Sequence, residues 1–310
     1  MNLSGKRLLL LLTLAFFTLC QGCGEKKKLV VFHASSLTAL MKDMKAEFEA
    51  GEPGVEIVLE PSGSFAACRK ITELKRRADV IAVADYVVIE RLLIPEFTDW
   101  YADFAGSRMT VAYGEHSQYG TELTADNWYE ILARPDVKFG RVDPNLEPAG
   151  YRTLFCWELA DIVYREKLGG RSIAVMLKAN CRPDNVCQTE SQLVPRLQNY
   201  SLDYAFIYES SAKKYHLKFI RLPDRINMGS TMEAQFYSQV TTEVTGSGKN
   251  TVSLTGGPIR YAFTIPNDAP DRGTALKFGR MLLSRSDLVE KNFFDPAPGG
   301  SKNVPLEILK

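Results

Sequence analysis

The chain has 310 residues, a formal net charge of +1, 45% hydrophobic residues and 24% charged residues. This length allows two domains, and the composition is that of a globular protein with an ample core. Losing an N-terminal leader that contains Lys6 and Arg7 lowers the formal charge to −1. A nearly neutral chain argues against a nucleic-acid-binding protein, which needs a basic face.

The first residues have the features of an export signal. A basic segment precedes an apolar stretch, residues 8–19, that is shorter than the roughly 20 residues needed to cross a membrane. The Gly-Cys pair ending in Cys23 resembles a bacterial lipoprotein cleavage box. We therefore predict a signal peptide at 1–22, a lipid on Cys23 and a tether at 23–28. Secretory cleavage without a lipid is the alternative, and both predict an exported protein.

A strand, a serine loop and a helix follow this leader. Residues 29–32 are apolar and predict a short buried strand, and residues 37–48 carry apolar side chains at helical spacing. Ser35 and Ser36 stand between the two elements. A serine at this junction either caps the helix or donates its hydroxyl to an anion bound at the helix N-terminus.

The same pattern recurs immediately. Residues 54–59 predict a strand, Gly63 and Ser64 belong to a turn-rich loop, and residues 65–75 predict a helix before a buried strand at 78–85. Strands that alternate with helices predict an α/β fold with a parallel sheet, whose ligands bind beyond the carboxyl ends of the strands. Two serine-bearing helix starts at one crevice predict a site for a small anion.

The rest of the chain continues this alternation and suggests two lobes. Further strands are predicted at 109–113, 138–142, 203–208, 218–223 and 259–265, and further helices at 87–93, 128–132, 151–167, 188–197 and 275–283. Residues 235–244 and 251–254 alternate around a hairpin turn. We expect lobe one to comprise 29–110 and 260–310, lobe two to comprise 111–259, and the ligand to bind between them.

Four polar residues of the middle region leave alternatives open. Glu147 precedes a helix, where a carboxylate either complements the helix dipole or reaches a ligand in the crevice. Thr189 and Glu190 both stand where a helix cap is expected. Tyr237 lies in a strand-like run and is either a core residue or a phenol donor.

Four cysteines remain after the leader. Cys181 and Cys187 flank a turn-forming spacer, and a local disulfide is plausible because an exported protein meets oxidising conditions. Their spacing is not C-x-x-C and no histidine is near, which argues against zinc. Cys68 and Cys156 lie in helical patterns and are expected to be buried thiols.

No enzyme motif is complete. Ser210 and Lys213 match S-x-x-K, but S-D-N and K-T-G are missing. Residues 246–250 are similar to the end of a P-loop but lack its first glycine and its final Ser or Thr. The three histidines are scattered without metal-ligand spacing. We expect no enzymatic activity.

Six motifs together resemble one known family, the solute-binding proteins of molybdate/tungstate ABC transporters, in particular the tungstate-binding subfamily common in archaea. They cover nearly the whole mature chain in order and comprise residues 32–37 (FHASSL), 61–72 (PSGS with RKIT), 78–86 (ADV to ADY), 127–137 (NWYEILARPDV), 143–152 (DPN to GYR) and 203–208 (DYAFIY).

The resemblance implies a type II periplasmic-binding-protein fold, in which two α/β lobes with parallel-type sheets and helices on both faces close on the ligand. It also implies a location outside the cytoplasmic membrane and a membrane permease as partner. No cofactor is expected beyond the ligand, tungstate or molybdate. We further expect a monomer.

The resemblance also implies which residues bind the oxyanion. Ser36 and Ser64 match hydrogen-bonding serines, Tyr237 matches a tyrosine near the ligand, and Glu147 and Glu190 match carboxylates that coordinate the metal. Tungsten(VI) and molybdenum(VI) can exceed four oxygen ligands, so each carboxylate can donate one oxygen. Sulfate and phosphate cannot expand in this way and would meet only charge repulsion, which excludes them.

Two positions depart from the family pattern. Glu147 stands where the family usually has Asp, and Ala149 replaces a frequent Cys. The segment before Glu190 is also shorter than usual. A sulfate-like or phosphate-like oxyanion is therefore an alternative ligand.

Two alternatives come from other classes of protein. A hydrolase would use Glu147 and Glu190 as an acid–base pair. A ferric-iron-binding protein would use the phenol groups of Tyr86, Tyr208 and Tyr237.

Overall fold

The computed structural model describes residues 25–245, 250–296 and 301–309. The strands are β1 (Lys27–Ala34), β2 (Val55–Ser62), β3 (Val80–Val83), β4 (Ala102–Gly106), β5 (Met109–Tyr113), β6 (Phe139–Val142), β7 (Val186–Cys187), β8 (Tyr204–Tyr208), β9 (Lys218–Arg221), β10 (Thr241–Thr245), β11 (Thr251–Thr255), β12 (Arg260–Thr264) and β13 (Asp295–Pro296). The predicted signal peptide and lipidation site, 1–22 and Cys23, lie outside the described residues.

Helices connect most of these strands. They are α1 (Thr38–Gly51), α2 (Ser64–Thr72), α3 (Tyr86–Leu92), α4 (Trp128–Leu132), α5 (Pro148–Val163), α6 (Arg165–Leu168), α7 (Ile173–Asn180), α8 (Glu190–Gln198), α9 (Glu209–Lys214), α10 (Asp224–Asn227), α11 (Ala234–Tyr237), α12 (Arg272–Ser284), α13 (Ser286–Lys291) and α14 (Leu306–Leu309). Over the described ranges, none of the helices has the length and apolarity that a membrane crossing requires.

Two mixed sheets form the centres of two lobes. The first has the strand order β13-β4-β12-β3-β1-β2 and the second β7-β6-β8-β5-β9, while β10 and β11 form a separate hairpin. The predicted parallel arrangement holds where βαβ units follow one another, at β2-β1-β3 and at β7-β6-β8. Strands β12 and β5 run antiparallel to their neighbours, because they begin where the chain has just crossed between lobes.

The chain crosses between the sheets twice. Strand β4 ends in the first sheet at Gly106, and β5 begins in the second at Met109. The chain is back in the first sheet at β12, which begins at Arg260. Strand β1 already begins at Lys27, so the last two residues of the predicted tether belong to the sheet.

The strand registers align the carboxyl ends of the parallel strands. In the first sheet Ala34 pairs with Ser62. In the second, Val142 pairs with Cys187. The loops that follow these strands therefore emerge side by side at one edge of each sheet, and the two edges face each other across a cleft.

Each lobe has its own core. In lobe one, strand β3 is wholly buried, and β1 is buried over its last four residues. Lobe two contains a cluster of edge-to-face aromatic rings, in which Trp128, Phe139 and Trp157 surround Phe206 with centroids 5.7 to 6.3 Å apart. Such pairs add about 0.5–1.5 kcal/mol each beyond their burial, so both sheets are rigid supports for the loops at the cleft.

One local prediction was wrong, and two elements were not predicted. Residues 235–237 are helical instead of extended, because three residues of apolar alternation do not distinguish a strand from one helical turn. Helix α7 was missed although Ser172 caps it by accepting from the Val175 N–H at 3.2 Å. Strand β4 was also missed.

The predicted Cys181–Cys187 disulfide is absent, and both residues are free thiols. The Cys181 sulfur faces the carbonyl of Phe139 at 4.0 Å, while the Cys187 sulfur accepts from Arg196 at 3.7 Å. The thiols thus point at different partners. Cys68 and Cys156 are buried thiols, as expected.

His33 makes the stability of lobe one depend on pH. Burial lowers the pKa of His33 from 6.5 to about 4, against the hydrogen bond to the Ala34 carbonyl. The unfolded chain therefore binds a proton near pH 6.5 that the folded chain resists until about pH 4, so stability is lost as the pH falls through this window. We expect this loss to be about 3 kcal/mol, measured by urea unfolding.

The substitution His33→Gln should reduce this pH slope, since glutamine does not titrate. The exposed His116 provides the matched control, and His116→Gln should keep the wild-type slope. Equal slopes for wild type and His33→Gln would contradict the prediction.

Candidate functional site

The carboxylate of Glu147 bridges the two lobes at the centre of the cleft. Glu147 follows β6 and immediately precedes α5, whose first residue is a proline that needs no N–H donor. One carboxylate oxygen accepts from the Ser35 hydroxyl of lobe one at 2.5 Å, and the other accepts from the Glu190 N–H of lobe two at 2.9 Å. Both partners lie at helix starts, where donors are unpaired by the helix itself.

The carboxylate of Glu190 points into the same place. Thr189 and Gln192 form a capping box at the start of α8, so the helix has its cap without Glu190. The Glu190 side chain is 2% exposed and accepts from the Tyr208 N–H at 3.2 Å. This arrangement leaves a buried carboxylate directed at the cleft.

The two buried carboxylates are electrostatically strained. Burial raises the pKa of Glu190 to about 8, with Ser211 opposing the rise and the nearby Glu147 adding to it. Burial also raises the pKa of Glu147, against the hydrogen bonds from Ser35 and Glu190. A pair of this kind gains from binding a proton or an electron-poor centre that neutralises its charge.

Hydroxyl groups surround the carboxylates. A cavity of about 10 Å³ between the lobes is lined by Ser35, Ser36, Glu190, Ser191, Ser211, Lys214 and Tyr215. Its lining contains donors from both lobes, and one of its residues, Lys214, is a cation that lowers the pKa of Glu190. The site is thus rich in donors around a doubly acidic centre.

Ser64 and Gly63 hold the predicted loop against Glu147. The hydroxyl of Ser64 is buried and accepts from the Ala84 N–H at 3.0 Å, which leaves its proton free to donate. A Cβ at Gly63 would overlap the carbonyl oxygen of Leu146 and lie 2.9 Å from Cγ of Glu147. The lobes therefore come together here only because residue 63 has no side chain.

Two tyrosines at the site were not among the five predicted oxyanion-binding residues, although Tyr208 was considered as a ligand of ferric iron. Tyr261 of β12 is fully buried, its hydroxyl is beside Ser36 and Ser210, and both carboxylates raise its pKa after burial. Tyr208 is also buried near Glu190, and its hydroxyl has no hydrogen-bond partner among the described residues. The buried strand that ends at Tyr208 was a usable signal, since it stops at the ligand edge of the sheet.

The Tyr237 side chain makes its hydrogen bonds within lobe two. Its hydroxyl donates to the Asp224 carbonyl at 2.5 Å and accepts from the Ser230 N–H at 3.3 Å. Of the five predicted binding residues, the structure brings Ser36, Ser64, Glu147 and Glu190 to the cleft and leaves Tyr237 in lobe two. In the ranges that the structure describes, no cluster of three or more His, Cys, Asp or Glu side chains forms a metal site.

Two α/β lobes, joined by two crossings and closed on a polar cleft at the strand ends, define a two-lobed binding protein. A family model described as a bacterial extracellular solute-binding protein matches residues 29–287. The chain belongs to this family of solute-binding proteins.

Its relatives match over most of their length. An uncharacterized solute-binding protein of Petrotoga mobilis is 42% identical over 88% of this chain and 84% of its own. The molybdate/tungstate-binding protein WtpA of Pyrococcus abyssi is 36% identical, covering 93% of this chain and 92% of the relative. WtpA of Thermococcus kodakarensis is 35% identical, with 92% and 87% covered.

Solved structures share the fold at low sequence identity. The periplasmic molybdate-binding protein of Azotobacter vinelandii has a TM-score of 0.60 at 12% identity, covering 86% of this chain and 98% of that one. The sulfate-binding protein SubI of Mycobacterium tuberculosis has a TM-score of 0.59 at 15% identity, covering 91% and 89%. These likenesses establish the two-lobe fold.

A methyl group at residue 63 should hinder closure of the cleft. We expect Gly63→Ala to weaken ligand binding about tenfold to a hundredfold, because the new Cβ meets backbone that cannot move freely. The measurement is calorimetric titration with tungstate. Gly54→Ala in the same lobe is the control, since a Cβ there meets nothing within 4 Å. Equal affinities of the two variants would contradict the close approach.

Proposed function

We propose that the protein captures tungstate or molybdate in the cleft and delivers it to the permease of an ABC transporter. The observation that carries the proposal is the pair of buried carboxylates, Glu147 and Glu190, set among hydroxyl and N–H donors from both lobes. Relatives named as molybdate/tungstate-binding proteins at 35–36% identity support the same ligand class.

The donor set suits an oxyanion of a large, electron-poor metal. Ser36, Ser64 and the N–H at the start of α8 donate to oxo groups, while each carboxylate gives one oxygen to the metal. The metal centre thereby neutralises two carboxylates that are unfavourable when buried alone. A sulfate ion has the same shape but offers only repulsion to them, so the site discriminates against it.

The protein acts as a carrier in this proposal. It has no enzymatic activity and no cofactor, and it works as a monomer outside the cytoplasmic membrane. Cys23 carries the lipid that keeps it near the permease. Membership of the extracellular solute-binding family supports this location.

The alternatives fit the site less well. A hydrolase would use the two glutamates as an acid–base pair, but neither glutamate belongs to a complete enzyme motif in the sequence. An iron site built on three tyrosines would lose Tyr237, whose hydroxyl already pairs with Asp224 and Ser230. Another oxyanion remains the closest alternative and is decided by titration.

Removing the charge of Glu190 should abolish tight binding. We expect tungstate and molybdate to bind the wild type tightly and sulfate to give no heat, and we expect Glu190→Gln to weaken tungstate binding at least about a hundredfold. Isothermal titration calorimetry of the mature protein measures all three anions. Glu115→Gln, at a side chain that is 65% exposed, is the matched control and should keep the wild-type affinity.

Two results would count against the proposal in different ways. Tight binding that survives Glu190→Gln would remove Glu190 from the metal while keeping the ligand. Tight sulfate binding, with no heat from tungstate or molybdate, would replace the ligand class.

The tyrosine at the ligand can be identified by deleting one hydroxyl at a time. We expect Tyr208→Phe to weaken tungstate binding about tenfold, because its buried hydroxyl has no hydrogen-bond partner among the described residues and its backbone N–H holds Glu190. Tyr237→Phe should keep the affinity and lower the melting temperature, since its hydroxyl bonds only within lobe two. The reverse pattern would restore the sequence prediction for Tyr237.

A further inference from the structure

A buried ion pair also links the lobes, away from the two glutamates. The guanidinium of Arg152 donates to the carboxylate of Asp85, and both side chains are 1% exposed. Asp85 belongs to lobe one, where it follows β3 and caps α3 by accepting from the Val87 N–H at 3.1 Å. Arg152 belongs to lobe two, in the helix that begins directly after Glu147.

Neighbouring hydrogen bonds connect this pair to the return crossing. Arg152 also donates to the carbonyl of Gly257, in the segment that leads the chain back to lobe one. The hydroxyl of Tyr151 donates to the same Asp85 carboxylate at 2.5 Å. One carboxylate thus receives two donors from the first turns of α5, and one guanidinium contacts both the opposite lobe and the crossing.

The free energy of this ion pair changes when the lobes close, because closure removes water from both charges. When the lobes separate, water can hydrate each charge. When they close, each charge loses that water and depends on its partner. The complete pair therefore favours closure only modestly, whereas one charge left without the other opposes closure strongly.

We propose that Asp85 and Arg152 are positioning residues that form a closure latch, which holds α5 and Glu147 against lobe one and so slows release of the bound anion. Neither residue lies among those that line the small cavity between the lobes. The latch rests on the proposed function for the identity of the anion. Its own mechanism is the pairing of charges across the lobes.

A double-mutant cycle tests the pairing. We expect Asp85→Asn and Arg152→Met each to weaken tungstate binding about a hundredfold, mainly through faster dissociation in stopped-flow experiments. The double variant, which buries no charge at this place, should recover to within about tenfold of the wild type. Tungstate and molybdate should lose affinity by the same factor, because neither residue contacts the anion.

A control variant shows whether losing any ion pair, and not this buried one in particular, weakens binding. Asp287→Asn removes one of the two carboxylate partners of Arg285, at 2.6 Å, on the surface of one lobe. It should leave both the affinity and the dissociation rate unchanged. Circular-dichroism melting of all variants verifies that they are folded.

The outcomes separate the latch from the carrier function. Wild-type affinity in both single variants, or losses that simply add in the double variant, would overturn the latch. Spin-label distances between the lobes, measured without ligand, test the latch even if tungstate does not bind. The fraction of closed molecules should then fall in each single variant and return in the double variant, whereas unchanged distances would overturn it.

Discussion

The central constraint of the molecule is one carboxylate held by donors from two lobes. Glu147 accepts from a serine hydroxyl on one side of the cleft and from a helix N-terminus on the other. Both donors are available because each follows a parallel strand whose carboxyl end faces the cleft. The registers of the two sheets, the proline after Glu147 and the glycine at residue 63 all serve this one contact. The geometry of the site is therefore a property of the whole fold.

Burying two like charges is unfavourable, and the surroundings show how the protein tolerates it. Glu190 accepts from a backbone N–H, and Lys214 lowers its pKa. The buried pair of Asp85 and Arg152 satisfies a further negative charge at the same interface. Rigid cores behind both sheets keep these groups in place, since a looser interior would let each charge move toward water. The electrostatic repulsion in the cleft is thus relieved when a ligand brings an electron-poor centre to the two carboxylates.

Much of this architecture could be predicted from the sequence, because βαβ units have strong local patterns of apolar residues and turns. The serine loops, the strand ends and both glutamates were recognised from periodicity and from the family resemblance, and four of the five predicted binding residues lie together at the cleft. Tyr237 does not, because the direction of its side chain depends on a helical turn that three alternating residues cannot reveal. Tyr261 was missed for a related reason, since its role depends on the strand that returns from the other lobe. Such long-range neighbours are set by topology and leave no local pattern.

The lobe-bridging contact of Glu147 also gives the protein an internal competitor. A carboxylate that bonds to Ser35 and to a helix N-terminus occupies donors that an incoming anion needs. Because this competitor is part of the same chain, its effective concentration is high and does not change with dilution. Any anion must displace it, and the measured affinity is the difference between two sets of bonds. An ion whose metal binds the displaced Glu147 carboxylate replaces the broken hydrogen bonds with a new bond. An ion that cannot bind this carboxylate leaves it without a partner, and its affinity is lower by the free energy of the lost hydrogen bonds. Selectivity then arises from the displaced residue as much as from the contacts that replace it.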